Sequence, residues 1–500
     1  MGIIQCHSQR FAYGLIYLSL VLGCSALQAK KFDPNIDPGQ FLSGTPDALS
    51  RLNTALKPQS EKATVILHYG DSHTQAAALP EQIRTMVAAN RPAAPGFLTR
   101  RHPVNWDGSV SVTADWTRHN WLRRKSSPPF GPMGIAYETK RAGAELSLSL
   151  PPDILKQGVI RVTVLYGRTP GHRPFSLMSK ERTLKFVSYE TDPNAVGTND
   201  PKNTADVSTV PPSALGTAMV VLPPESTEVR LLVEPAIDEA ATLRFFGFLV
   251  QTEAASVEYD VLGVGSTRPL HMVEHGDETV GAYIKHRQPQ MIVTWFGSNS
   301  SVDSDLDLTK YGDDYRAHLS RLLAAKPNTA CLAIGPPDLA RAKKHCYLTG
   351  RERRLAKRGR RARKRLRRIL RTKRKAMVCS PDTLLNRRKR GRYRFPVPGV
   401  RTMGQWKRYV RKCTPQTVPN LRPIIAIQRQ IAHELGCGYF DSFAYMGGKG
   451  AILDWACRDE DRLAGYDLVH LTKAGYQTLG AAIGRALHQT LPLAESEKAP

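Results

Sequence analysis

Beyond its first 30 residues the sequence has no apolar run of membrane-spanning length, no Cys-x-x-Cys pair and no general excess of charge of either sign. The first absence leaves no later stretch that reads as a transmembrane helix, which needs about 20 apolar residues. The second makes metal binding the weaker reading of the cysteines, so neither a metal nor another cofactor is expected. The third needs an argument, because the formal net charge is +27. Residues 341–412 hold 30 Lys and Arg against Glu352 and Asp382, which leaves 41 basic and 42 acidic residues elsewhere. The basic character therefore belongs to one insertion and does not describe the rest of the chain.

What is present begins with an export-type leader. Arg10 precedes an apolar run, Phe11 to Leu22, followed by small residues ending Ala26-Leu27-Gln28-Ala29. That run is short for a bilayer span and has the flanks of a signal peptide over 1–29. Two processing routes are open: cleavage after Ala29, or lipid attachment at Cys24, since Val21-Leu22-Gly23-Cys24 is similar to a lipobox. The expected location is the periplasm or outer cell envelope. Six cysteines then remain in the body, Cys331, Cys346, Cys379, Cys413, Cys437 and Cys457. An even number in an oxidising compartment points to disulfides, with 15 connectivities that sequence does not choose between.

At 500 residues and 41% hydrophobic content the chain has room for two or three cored domains, at roughly 150 residues each. Helical spacing over Phe41–Leu56, a buried strand over Thr64–Tyr69 and a helix over 75–90 open an α/β pattern. The character changes from about residue 100 to 255. There, short runs (Ala144–Leu150, Val159–Tyr166, Thr183–Ser188, Thr217–Leu222, Val229–Val233, Leu243–Gln251) are separated by Pro, Gly, Asn and Asp clusters, the mark of an inserted β-sandwich. Strand and helix then alternate again: strands over Val257–Val264, Gln290–Phe296 and Thr329–Ile334, a helix through Tyr315, Leu319, Leu322 and Leu323, another through Ile424, Ile427, Ile431 and Leu435, a strand over Gly438–Phe443 and a last helix over Ala474–Leu491. The fold expected is a doubly wound α/β domain with a largely parallel sheet, assembled from 30–99, 256–340 and 413–492 and ending in a tail over 493–500.

In such sheets ligands bind beyond the carboxyl ends of the strands. Ser72, the Gly263/Gly265 pair and Asn299 all follow strand ends, so they should converge. A serine hydroxyl needs a base, and the base needs a group that fixes its tautomer. Tyr466-Asp467-Leu468-Val469-His470 offers both, since a spacing of three lets the Asp467 carboxylate meet the His470 imidazole across one turn. The Ser72 backbone N–H, a backbone N–H at Gly265 and the Asn299 amide are the candidate oxyanion donors. Plainer alternatives stand beside these: Ser72 as a helix cap, Asp467 and His470 as a surface capping pair, Asn299 as a turn residue. His68 and His73 read as structural. The α/β-hydrolase alternative fails at its own motif, because Gly-x-Ser-x-Gly is required and Ser72 is followed by His73-Thr74.

Gly70-Asp71-Ser72, a central glycine, Gly297-x-Asn299 and Asp467-x-x-His470 resemble the four blocks of the SGNH/GDSL hydrolase superfamily. More narrowly, HYGDSHT, the β-rich insertion, IGPPD and the tail from YFDSFAYMGGKGAILDW to DLVHLTKAGY resemble bacterial peptidoglycan O-acetylesterases with an inserted carbohydrate-binding-like β-sandwich. The resemblance implies a three-layer flavodoxin-like hydrolase domain. It also implies Ser72 as nucleophile, His470 as base, Asp467 as its orienting acid, Asn299 as an oxyanion donor, and an acetylated glycan as substrate. Gly263-Val264-Gly265-Ser266 stands where Gly-Val-Asn-Gly is usual, which leaves the second oxyanion amide open between Gly263, Gly265 and Ser266. Ser300 stands where the narrower family carries an acid. An O-acetyltransferase with the same triad and a non-catalytic envelope-binding protein are the alternatives. For the 341–412 insertion, where Arg351–Lys375 has helical spacing, the expected partner is an anionic envelope polymer or a membrane surface, with no nucleic acid, and a solvated loop is the plain alternative.

Overall fold

The computed structural model describes residues 32–57, 62–89, 91–100, 108–123, 126, 128–168, 171–188, 215–275, 277–341, 379, 386–387, 393–394, 402–458 and 461–489. The leader, with Cys24, and the helix expected over Arg351–Lys375 lie outside them.

A seven-stranded sheet forms the centre, in the order Leu42–Ser43, Gly438–Phe440, Ala330–Ile334, Met291–Trp295, Thr64–Gly70, Val257–Gly263, Ala93–Ala94. Every pairing is parallel except the edge pair Leu42–Ser43 with Gly438–Phe440. All seven residues of Thr64–Gly70 are buried, as a strand covered on both faces must be. Because side chains alternate across a strand, Val65, Leu67 and Tyr69 join one apolar cluster while Ile66 joins another on the opposite face. Helices Ala78–Ala88 and Lys473–Gln489 cover the second face through Leu79, Ile83 and Val87 and through Leu479, Ile483 and Leu487. Helices Asp277–Arg287 and Leu308–Ala325 cover the first through Tyr283, Ile284 and Leu322. Each such Leu or Ile contributes about 1.5–3 kcal/mol on full burial.

Two antiparallel sheets lie between these α/β segments in sequence. One orders Arg182–Val187, Phe175–Ser179, Glu228–Val233, Glu145–Ser149 and Ser109–Val112; the other orders Leu215–Val221, Ile160–Gly167, Leu243–Thr252, Ile135–Thr139 and Thr117–Asn120, with Gly96–Leu98 also paired to Leu243–Thr252. Inward residues of both, such as Leu146, Leu231, Val164 and Phe245, meet in one cluster. All six strands expected in this region are present. Five others, Gly96–Leu98, Ser109–Val112, Thr117–Asn120, Ile135–Thr139 and Phe175–Ser179, escape notice in the sequence because they are short or lack clean alternation.

Several boundaries move. The helix expected over 75–90 is broken in two, Ser72–Gln75 and Ala78–Ala88, by Ala77 at φ +62°. Phe41–Leu56 divides into a 3-10 turn, a two-residue strand and the helix Pro46–Leu56. The strand expected over Gly438–Phe443 stops at Phe440, because the Asp441 carboxylate accepts from the Ala444 N–H and caps a new turn, Ser442–Tyr445. Cys331 is bonded to Cys437 and Cys379 to Cys457, and Cys413 is disulfide-bonded as well. The first bond ties the strand Ala330–Ile334 to the residue before Gly438–Phe440. No helix among the described residues is long and apolar enough to cross a membrane.

A buried ion cluster joins the central sheet to the β-rich segment. Arg287 donates to Asp260 Oδ2 and Oδ1 at 2.8 and 3.0 Å and to Glu258 Oε2 at 2.8 Å, while Asp260 also accepts from Tyr283 Oη (2.6 Å) and the Phe97 N–H (3.0 Å). Removing one partner from such a cluster strands the other charge without water. Arg287→Met is therefore expected to destabilise the protein by about 3–5 kcal/mol, read as a shift in the midpoint of denaturant unfolding; a change under about 1 kcal/mol would show that the cluster is hydrated or unimportant.

Candidate active site

Strand Thr64–Gly70 ends at Gly70, and the chain turns at Asp71 into the single helical turn Ser72–Gln75. The capping role open to Ser72 falls instead to Asp71, whose Oδ1 accepts from the His73 N–H at 2.9 Å. Ser72 thus occupies the first helical position, where a backbone N–H has no acceptor within the helix, and its hydroxyl is left for another partner. Gly263, at the end of the neighbouring strand, lets this turn approach closely. A Cβ there would fall 2.5 Å from Thr74 Cβ and 2.7 Å from the Gln75 nitrogen.

That partner arrives from the far end of the chain. Ala340 N–H donates to Leu468 O at 3.0 Å, and the Trp455 carbonyl accepts from the N–H groups of Leu463 and Ala464 (3.0 and 3.1 Å), so the 463–471 loop is held at the carboxyl end of the sheet. Leu468, buried at 2% exposure, takes φ +58°. This left-handed conformation is unfavourable for a leucine; burial of its side chain in the apolar cluster under the site offsets the cost. Within the loop Asp467 Oδ1 accepts from the Val469 and His470 N–H groups, both at 3.1 Å, and Asp467 Oδ2 lies 2.8 Å from His470 Nδ1. His470 Nε2 lies 3.0 Å from Ser72 Oγ, across 398 residues of sequence.

The electrostatics follow from these contacts. Burial alone would raise Asp467, but the hydrogen bonds from His470 and Val469 outweigh it and hold the carboxyl at about 2. His470 is raised above the ordinary histidine value, first by its hydrogen bond to Asp467. An ionised Asp467 accepts only, so the Nδ1 proton belongs between them and Nε2 is left as a base facing Ser72. Asp71 behaves differently: burial pushes it up to about 7, against the hydrogen bonds from the His73 N–H and the Asn299 amide.

The other histidines take structural positions. His68 is buried between Tyr259 Oη (3.0 Å to Nδ1) and Thr74 Oγ1 (3.3 Å to Nε2), and burial lowers it to about 3. His73 is lowered to about 3 in the same way, with Nδ1 3.0 Å from Tyr476 Oη and its ring against Trp295. His271 and His275 share a helix at a spacing of four, but His271 Nδ1 accepts from the Arg268 N–H at 3.0 Å. Among the described residues no group of three or more His, Cys, Asp or Glu side chains is placed to hold a metal ion.

The candidate oxyanion donors reach the same end of the sheet. Gly265 turns toward Ser72, with 3.6 Å between its Cβ position and Ser72 Cβ, and its N–H donates to Gln75 Oε1 at 2.7 Å. Gly263 is still within its strand, and Ser266 is exposed at φ +71°. Asn299 follows the strand Met291–Trp295 through Gly297, whose φ of +119° suits glycine. Its amide donates to Asp71 Oδ2 at 3.1 Å and to Thr267 O at 3.2 Å, so its two N–H bonds join Asp71 to the 263–267 loop.

Sequence reasoning missed Gln75, Asp71 and Thr267, and also Trp121, whose indole N–H donates to Thr267 Oγ1 at 3.3 Å from the β-rich segment. Only Asp71, a capping residue just before a turn, carried a local signal. One further motif residue has a scaffold position. Asp338 of IGPPD accepts from Thr417 Oγ1 (2.8 Å) and the Ile452 N–H (2.9 Å), and burial raises it to about 6.

No protein-family model matches the chain, and no curated protein matches it. Among solved structures it is similar to a peptidoglycan O-acetylesterase at TM-score 0.56 and 13% identity, covering 90% of this chain and 98% of that one. At that identity the likeness shows a shared, acetylesterase-like α/β fold. A family two carbohydrate esterase from Clostridium thermocellum (10% identity, TM-score 0.23, 76% and 97% coverage) and the periplasmic domain of a lipopolysaccharide acetyltransferase from Salmonella ser. Paratyphi A (13%, 0.24, 46% and 72%) overlap too loosely to carry an argument.

Proposed function

We propose that this chain is an exported SGNH-type serine esterase that removes O-acetyl groups from a cell-wall polysaccharide, with the N-acetylmuramic acid of peptidoglycan as the foremost substrate. The observation that carries the reading is the relay Ser72 Oγ, His470 Nε2, His470 Nδ1, Asp467 Oδ2, at 3.0 and 2.8 Å. The doubly covered sheet supports a three-layer flavodoxin-like catalytic domain, and the two antiparallel sheets over about 100–255 support an inserted module that holds glycan. The disulfides suit an oxidising compartment.

In this reading His470 Nε2 takes the Ser72 proton as Oγ attacks the acetyl carbonyl. The carbonyl oxygen becomes an oxyanion, met by the N–H groups of Ser72 and Gly265. Asn299 adds a third donor only by giving up Asp71 or Thr267. His470 then protonates the departing sugar oxygen, leaving acetyl-Ser72, and next takes a proton from the water that attacks the acetyl carbon and returns it to Ser72 Oγ as acetate leaves. An O-acetyltransferase would pass the acetyl group to a sugar instead, which requires excluding water. The side chains of Asp467 and His470 are 42% and 44% exposed, which favours hydrolysis. An assembled relay tells against a non-catalytic envelope protein. The 341–412 segment would draw the enzyme to anionic envelope polymers or membrane surfaces, with strong salt dependence.

The test is a mass balance on O-acetylated peptidoglycan. One acetate should be freed for each ester lost, with or without an added glycan acceptor. Esters lost without free acetate, and recovered on the acceptor, would replace this reading with transfer; intact esters would end it.

A further inference from the structure

We propose that Gln75 gates the oxyanion donor of the site: in the resting protein its amide oxygen occupies the seat on the Gly265 N–H that an ester carbonyl must take. The inference rests on the esterase reading and deepens it.

Gln75 closes the helical turn that Ser72 opens, and its backbone is fixed by donation to Asp71 O at 3.0 Å. Residues three apart on a helix share a face, so its side chain rises beside the nucleophile. There Oε1 accepts from Gly265 N–H at 2.7 Å, and among the described residues, the adjoining ones aside, the Gly265 Cβ position has Gln75 Oε1, at 2.9 Å, and Ser72 Cβ, at 3.6 Å, for near neighbours. Glutamine oxygen, glycine amide and nucleophile thus crowd one spot, where the carbonyl oxygen of an acetyl group bonded through its carbon to Ser72 Oγ would have to lie.

Gln75 and Gly265 are both half-buried, so the amide has room and water to leave into. The Asn299 amide is bound otherwise. Its acceptors are a backbone carbonyl in a turn and the buried carboxylate of Asp71, and neither withdraws without moving the loop. Gly265 N–H is therefore the donor that one side-chain rotation sets free.

The exchange favours the transition state because of charge. A neutral ester carbonyl competes poorly with an amide oxygen for one N–H. An oxyanion competes well, since charge-assisted hydrogen bonds are roughly twice as strong as neutral ones. Every ester bears the same displacement, so the cost falls equally on glycan and aryl esters and leaves their ratio of kcat/KM unchanged. Gln75 thereby keeps the donor occupied until the developing oxyanion displaces it.

The experiment compares wild type, Gln75→Met, Gln75→Glu and Ser72→Ala on an aryl acetate and on O-acetylated peptidoglycan, with thermal midpoints for all four. Met keeps the length of the arm and removes the acceptor. It should raise kcat/KM on the aryl acetate by roughly 2- to 10-fold, the worth of one neutral hydrogen bond, and raise it on peptidoglycan by a similar factor. Glu keeps the shape and adds a carboxylate that holds the amide harder and faces the oxyanion. It should lower kcat/KM on both substrates by about 10- to 100-fold, with the deficit relative to wild type shrinking as pH falls and the carboxyl protonates. A Met variant that matches or trails wild type on the aryl acetate at an unchanged midpoint overturns the role given to Gln75, as does a Glu variant with wild-type rates. Failure of the esterase reading is separate, because wild type would then equal Ser72→Ala on both substrates.

Discussion

Ser72→Ala should lower kcat for acetyl ester cleavage by roughly 10,000-fold or more and leave the fold unchanged. The size follows from the chemistry. Without Oγ there is no covalent acyl intermediate, and a water that replaces it has neither the position nor the hydrogen bond that places Oγ 3.0 Å from His470 Nε2. What remains is ground-state binding and an oxyanion site without its nucleophile. Stability should hardly move, since the turn is capped by Asp71 and not by Ser72. Release of aryl alcohol and of acetate from O-acetylated peptidoglycan would be followed together, with the unfolding midpoint as control. Retention of more than about a hundredth of wild-type kcat on both substrates would show that Ser72 is not the nucleophile.

Asp467→Asn should cost kcat nearly as much, about 10,000-fold, by a different route. Asparagine keeps the shape but presents an N–H where Asp467 Oδ2 faces His470 Nδ1 at 2.8 Å. Its preferred arrangement makes Nδ1 the acceptor and puts the ring proton on Nε2, toward Ser72, which is the wrong tautomer for a base. The pH profile separates this from mere loss of packing. In the wild type His470 is raised above its ordinary value, mainly by Asp467; a raised pKa keeps the imidazole protonated to higher pH, and only the neutral form accepts the serine proton. The acid limb of kcat/KM should therefore lie above the ordinary histidine value of about 6.5. In Asp467→Asn the residual activity should show that limb at lower pH, because the stabilising charge is gone. An unmoved limb would mean that some other group governs it.

How far the sequence reaches depends on the range of the interactions involved. The strand Thr64–Gly70 and the helix Lys473–Gln489 are legible because burial on two faces or on one stripe writes a local pattern of apolar residues. The break at Ala77 is not, since its φ of +62° answers to the packing of the Ser72–Gln75 turn against its neighbours and not to any residue preference of alanine. The early end of the strand Gly438–Phe440 escapes for a related reason. Strand propensity would carry the chain past Phe440, but Asp441 accepts the Ala444 N–H and starts a turn instead.

Read alone, the sequence determined the chemistry on offer: a serine after a strand, an aspartate three residues before a histidine, a charge excess confined to one insertion. Side-chain identity and short-range spacing are enough for that. Tertiary structure decided which atoms meet. It set Ser72 against His470 across 398 residues, gave the capping duty to Asp71, and committed Asn299 to Asp71 and Thr267 and the Gly265 N–H to Gln75. A hydrogen bond depends on a few tenths of an ångström and on direction, and only the packed layers beneath the loops supply that, through contacts that leave no periodic trace in the chain.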